Sequence, residues 1–91
     1  MRRVGQARKR DANENAIVVA LQAAGAYVFR LSGKGVPDLL VAYKGRWEPL
    51  EVKSPQGRTT LAQQAVMHAG ITIHRVVTVE DAFRVIGVEV R

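Results

Sequence analysis

The chain contains no cysteine, which excludes disulfide bonds, thiolate zinc sites and cysteine nucleophiles. Any bound metal ion would have to be held by oxygen atoms or imidazole nitrogens. Long hydrophobic runs are also missing, and the chain starts with basic, non-apolar residues, which argues against a signal peptide or a membrane span. We therefore expect a cytoplasmic protein with no membrane partner.

Acidic residues are absent from the start of the chain, where basic residues are concentrated. The 91 residues include 14 Lys and Arg against 8 Asp and Glu, for a net charge of +6, and residues 1–10 carry five of the basic residues. We interpret residues 1–10 as a basic arm and residues 11–91 as one small domain, whose limited core makes self-association an expectation. The arm suits a polyanion such as nucleic acid, although a solubilising tail would have the same composition.

Periodicity and turn residues along the chain predict a mixed α/β domain with the order α-β-β-β-α-β-α. Helices are predicted over residues 11–24, 60–69 and 80–86. Strands are predicted over residues 26–32, 37–43, 46–53 and 71–79. This order is typical of a central sheet flanked by helices.

The dipeptide Lys44-Gly45 is typical of a two-residue hairpin turn between the second and third predicted strands. Such a turn places Asp38 directly opposite Glu51. Two like charges in this position destabilise a sheet unless a cation neutralises them. Lys53 follows Glu51 by two residues and therefore shares its face. The residues predicted to face the core instead are Leu39, Val41, Leu50 and Val52.

Two carboxylates and a lysine on one face, beside a glycine-containing loop, are the groups that metal-dependent hydrolysis of a phosphodiester needs. Asp38 and Glu51 would hold Mg²⁺ or Mn²⁺, and the carbonyl oxygen of Val52 could add a ligand. Lys53 would orient the attacking water or balance charge in the transition state. The alternative is an ordinary surface ion pair between Lys53 and one of the acids.

The segments GVPDLL and LEVKSPQGR, followed by a glutamine, resemble the signature of the virus-type replication-repair nucleases (VRR-Nuc), a branch of the PD-(D/E)XK nuclease superfamily. The resemblance extends from Glu14 to Asp81. It implies a PD-(D/E)XK, restriction-endonuclease-like core and an Mg²⁺- or Mn²⁺-dependent DNA endonuclease. It further implies a homodimer of phage or bacterial type that cuts branched DNA, such as four-way (Holliday) junctions, in replication, repair or recombination.

The resemblance also implies roles for individual residues. The implied metal ligands are Asp38, Glu51, the Val52 carbonyl and Glu14, with Lys53 as catalytic lysine and Gln63 as a supporting residue. Glu14 heads the apolar stripe of its helix, but its spacing from Asp11 is that of a capping box. Gln63 has the same spacing from Thr60, and its neighbour Gln64 is a rival for its role.

Basic residues in the arm and in the two loops that flank the acids are candidates for DNA contact. They are Arg8, Lys9, Arg10, Lys34 and Arg58. Trp47, beside the hairpin turn, is expected to belong to the core or to a subunit contact. The rival interpretation is a non-catalytic nucleic-acid-binding module, or an adapter subunit of a repair complex, in which the strand acids are structural.

Overall fold

The structure, a computed structural model, describes residues 12–89 as an α/β fold of three helices and a four-stranded mixed sheet. Its elements are α1 Glu14–Ala23, β1 Tyr27–Arg30, β2 Leu39–Tyr43, β3 Arg46–Val52, α2 Leu61–His68, β4 His74–Val76 and α3 Val79–Ile86. This is the predicted order of helices and strands. The basic arm of residues 1–10, with Arg8, Lys9 and Arg10, lies outside the described residues, so its predicted DNA contacts stay predictions.

The strands lie in the sheet in chain order. β1, β2 and β3 run antiparallel to one another, and β4 pairs in parallel with β3. The parallel pair requires a crossover connection, which α2 supplies. Within residues 12–89, no helix has the length and apolar character needed to cross a membrane.

The hairpin between β2 and β3 has the predicted register. Lys44 and Gly45 both have positive φ, 48° and 81°, as a type I′ turn requires at its two central residues. Tyr43 then pairs with Arg46, and Leu39 pairs with Leu50. Continued by one residue, this register places Asp38 opposite Glu51, so the prediction for the two acids is confirmed.

One face of the sheet packs against α1 and α3 and forms the core. Its completely buried strand residues are Leu39, Val41, Leu50 and Val52, as predicted, together with Val76. The helices contribute Ile17, Val18, Leu21, Ala82 and Ile86 to the same cluster. Helix α2 contributes no residue to it, and Gln63 is its only buried side chain.

The last strand is shorter than predicted at both ends, and at its C-terminal end the start of α3 takes over the residues that were expected to be extended. Residues 71–79 were expected to be extended, but β4 covers only His74–Val76. Thr78 caps α3: its Oγ1 accepts from the Asp81 N–H at 3.0 Å, and the Asp81 Oδ2 accepts from the Thr78 N–H at 3.1 Å. Backbone groups held in this capping box are not available to extend the strand.

The first helix also begins later than predicted. Its N-cap is Asn13, and the helix starts at Glu14 instead of following Asp11, which lies outside the described residues. Glu14 is therefore the first residue of the helix, whereas a capping box requires the third. The capping-box alternative for Glu14 is wrong, because the helix begins after Asn13 and not after Asp11.

Candidate active site

Asp38 and Glu51 interlock across the end of the β2–β3 hairpin. The Glu51 Oε1 accepts a hydrogen bond from the backbone N–H of Asp38 at 3.2 Å, and the Asp38 Oδ2 accepts one from the backbone N–H of Val52 at 2.9 Å. Both acids are buried. Each carboxylate is thus held by the strand that carries the other acid, which fixes the positions of both groups.

Lys53 completes the cluster that the sequence predicts. Its Nζ lies 3.1 Å from the Glu51 Oε2, and its side chain is only 14% exposed. The alternative of a surface ion pair is therefore wrong, because both partners are largely removed from solvent. Burying charged groups costs free energy, so the cluster depends on the hydrogen bonds and the ion pair that its members make.

The backbone carbonyl of Val52 faces the same side as the Asp38 carboxylate. In an extended strand, the N–H and C=O of one residue point to the same edge. The Val52 N–H points to Asp38, whereas the next N–H, that of Lys53, donates to the Val76 carbonyl of β4 at 3.0 Å. Strand geometry therefore directs the Val52 carbonyl toward Asp38, as the proposed ligand set requires.

Helix α1 is fastened to this end of the sheet by Asn13, which sequence reasoning missed. The Asn13 Nδ2 donates to the carbonyl of Lys53 at 3.2 Å and to that of Val77 at 2.6 Å. The side chain therefore bridges the ends of β3 and β4 instead of capping its own helix. Nothing in the local sequence distinguishes this asparagine from an ordinary helix cap.

Glu14 follows Asn13 and is buried at the start of α1. Its Oε2 lies 3.9 Å from the Nε of Arg30, at the end of β1. Arg30 also donates to the Asn15 Oδ1 at 3.1 Å, which holds the strand against the helix. Within residues 12–89, no group of three Asp, Glu, His or Cys side chains lies close enough to hold a metal ion. The structure thus brings Asp38 and Glu51 together, and the role of Glu14 as a further ligand stays a prediction.

Gln63 is buried, whereas its rival Gln64 is exposed and donates to the Thr59 carbonyl. Gln63 also closes a capping box: its N–H donates to the Thr60 Oγ1 at 3.1 Å, and its Oε1 accepts from the Thr60 N–H at 3.2 Å. The capping box that the spacing of Thr60 and Gln63 allows is therefore present. Burial distinguishes Gln63 from Gln64, and the choice between them as the functional glutamine stays a prediction.

Lys34 and Arg58 are both exposed on the loops that flank the start of α2. The Lys34 loop approaches this helix closely, because a Cβ added to Gly35 would lie 3.2 Å from the Ala62 carbonyl oxygen. Arg58 precedes the same helix in the chain. The two candidate phosphate-binding side chains therefore project from loops that meet at one helix terminus.

Arg75 is a second residue that sequence reasoning missed. It pairs with Glu51 across the parallel β3–β4 register. Its Nη2 donates to three carbonyls of the loop after Lys53, at distances between 3.0 and 3.4 Å. The acceptors belong to Ser54, Pro55 and Gly57. Arg75 therefore holds in place the loop that follows Lys53, the candidate catalytic lysine, in the chain.

Gly57 in this loop packs directly against the stem of Lys53. A Cβ added at Gly57 would lie 3.1 Å from the Lys53 Cβ and 3.2 Å from its Cδ. Contacts this short force a neighbour to move. The loop therefore constrains the lysine side chain from one side, while the ion pair with Glu51 holds its ammonium group.

Comparison of the chain with protein-family models, with curated proteins and with solved structures finds no match. Function is therefore inferred from the geometry of residues 12–89 and from the motifs that they contain.

Proposed function

We propose that the protein is a metal-dependent DNA endonuclease with the PD-(D/E)XK core arrangement. The observation that carries this proposal is the interlocked, buried pair of Asp38 and Glu51, with the Lys53 ammonium 3.1 Å from Glu51. The element order and the parallel pairing of β4 with β3 are compatible with that core. The resemblance of the motifs supports the same assignment.

The donor set fits a hard divalent cation. Asp38 and Glu51 supply carboxylate oxygens, and the Val52 carbonyl is directed to the same side, so the available ligands are oxygens of the kind that Mg²⁺ and Mn²⁺ prefer. A bound ion would polarise the phosphoryl oxygen and lower the pKa of a water molecule for attack. The resemblance adds Glu14, at the start of α1, as a further ligand. It would bind the ion from the helix, whereas Asp38 and Glu51 would bind it from the hairpin.

The protein's own residues would position and neutralise the reacting groups. Lys53 would place its ammonium beside the attacking water or beside the developing negative charge of the phosphoryl group. Gln63 would support the site from the start of α2. Lys34 and Arg58, with the basic arm, would bind backbone phosphates on both sides of the scissile bond and supply affinity without reading sequence.

The resemblance extends the proposal to branched DNA, such as four-way junctions, and to a homodimer. Two sites related by a two-fold axis would cut two strands symmetrically, which one site could not do in a single encounter. A role in replication, repair or recombination of a bacterium or its phage follows from the same resemblance.

Cleavage of linear, flap and four-way-junction DNA with Mn²⁺ or Mg²⁺ tests this proposal. We expect Asp38→Asn and Lys53→Ala to abolish cleavage while DNA binding largely remains, because the affinity for backbone phosphates is assigned to Lys34, Arg58 and the basic arm. Lys44→Asn is the matched control, since it removes an exposed lysine and asparagine tolerates the positive φ of the turn. Salt-dependent binding without cleavage under any metal would instead identify a non-catalytic DNA-binding module, and little DNA affinity would identify an adapter subunit.

A further inference from the structure

The sheet face opposite the core carries an uncharged apolar grid of six residues. The first row across β1, β2 and β3 is Tyr27, Ala42 and Trp47, and the second row is Phe29, Leu40 and Pro49. Direct cross-strand partners point to the same face, so all six side chains share one surface. Tyr27 is 73% exposed, Trp47 60% and Phe29 49%, although Trp47 was expected in the core or in a subunit contact. The core alternative for Trp47 is wrong.

The exposed area of this grid is of the size at which the largest apolar patch of a protein is often functional. Aromatic side chains present about 150–250 Å² each, so the three exposed aromatics leave on the order of 400 Å² uncovered. Monomeric proteins rarely expose apolar patches larger than a few hundred Å². A stable interface of standard size takes roughly 800 Å² from each partner, with an apolar centre and a polar rim. The apolar grid supplies about half of that area, so the remainder would come from the residues around it.

The composition of the grid decides which occupant fits it. Stacked nucleobases would need cations along the same rows to bind the phosphates between them, and neither row contains a charged residue. Phe29 and Trp47 also pack on each other, with ring centroids 6.0 Å apart and planes inclined by 41°, so they do not form a flat stacking platform. The basic arm has too few apolar residues to cover such a surface. The same uncharged surface on a second copy of the chain would complement the apolar grid.

We propose that the apolar grid is a sheet-to-sheet interface with a second copy of this chain. Two sheets packed face to face would bury both grids in a layer roughly 10 Å thick. The row that follows the grid holds Asp38 and Glu51, so the interface would end where the candidate active site begins. This interface would be the dimer contact that the proposed function includes. Its support is the apolar grid and not the nuclease chemistry.

Trp47 is the only tryptophan of the chain, so its fluorescence reports on the grid directly. Sedimentation velocity and tryptophan emission of the full chain are measured from nanomolar to high micromolar concentration. We expect a monomer–dimer transition, with a blue shift of the emission and slower acrylamide quenching as the dimer forms. Tyr27→Ser and Phe29→Ser should each raise the dissociation constant about tenfold or more. Leu61→Ser is the matched control, because Leu61 is 83% exposed on α2 outside the grid, and this variant should dimerise normally.

Four results would overturn the interface. They are a monomer at high micromolar concentration, an emission that does not change with concentration, a dimer that tolerates both serine variants, and a shift of Trp47 emission by single-stranded DNA without self-association. Circular dichroism and thermal melting of each variant separate lost contact from lost fold. Asp38→Asn distinguishes the two proposals, since it should abolish cleavage and leave the dimer intact. A dimer that forms through the grid but does not cut DNA would refute the nuclease and keep the interface.

Discussion

Substitution of Asp38 by asparagine and by alanine separates the structural role of this residue from its role as a metal ligand. The Asp38 Oδ2 accepts the Val52 N–H at 2.9 Å in a buried setting. Asparagine keeps an acceptor in that position and removes a negative charge facing Glu51. Alanine removes the acceptor and leaves the Val52 N–H buried without it, which costs about 1–3 kcal/mol.

The parent protein and Asp38→Asn should therefore exchange their order of stability when the metal is added. In EDTA, we expect Asp38→Asn to unfold in urea at the same midpoint as the parent protein or higher, because the like-charge opposition with Glu51 is relieved. Asp38→Ala should be the least stable of the three. With Mn²⁺ at about a hundredfold above its dissociation constant, binding stabilises the parent protein by about 2.7 kcal/mol, and neither variant should gain as much.

The reversal of rank between the parent protein and Asp38→Asn is the decisive result. Urea unfolding followed by far-ultraviolet circular dichroism measures it with and without Mn²⁺. Equal stabilisation of all three proteins by Mn²⁺ would refute the role of Asp38 as a ligand. An Asp38→Ala variant as stable as the parent protein in EDTA would refute the structural contribution of its hydrogen bond to Val52.

Two further predictions concern the loop beside the site and the cap of α3. Arg75→Ala should lower kcat roughly tenfold to a hundredfold, because the loop that constrains Lys53 loses three hydrogen bonds. Calorimetry should show that the Mn²⁺ affinity of this variant is unchanged. An unchanged kcat would show that the loop holds Lys53 without Arg75. Hydrogen bonds from the backbone N–H groups of Val77 and then Thr78 lower the pKa of Asp81 from its ordinary 3.8. The contribution of Asp81 to stability is therefore present above pH 3.8 and is lost as the pH falls through the lowered pKa. Asp81→Asn should lower the urea midpoint at neutral pH and approach the midpoint of the parent protein in acid. A difference in urea midpoint that stays constant with pH would contradict this assignment.

The register that brings Asp38 to Glu51 could be predicted because it depends on local information. A two-residue turn at Lys44-Gly45 fixes every pair along the hairpin, and strand alternation then separates the acids from the core residues. The same logic placed Lys53 on the face of Glu51. These parts of the site follow from neighbouring positions in the chain.

The remaining parts depend on contacts between distant segments. Asn13 reaches the Lys53 carbonyl across 40 positions, and Arg75 reaches the loop after Lys53 across about 20. No periodicity or motif encodes such contacts, because they arise only when the elements have packed. The early end of β4 has a different cause, since the capping box of Thr78 competes with strand pairing for the same backbone groups.

Calorimetric titration with Mn²⁺ tests most directly whether Asp38 and Glu51 form a metal site. The parent protein should bind the ion, and Glu51→Gln should weaken binding by roughly tenfold or more, because one charged ligand becomes neutral while its shape is kept. Glu80→Gln is the matched control, since Glu80 is exposed in the first turn of α3 and this variant should bind as the parent protein does. Equal Mn²⁺ affinity in Glu51→Gln and the parent protein, or no binding by either, would contradict the metal site and with it the nuclease.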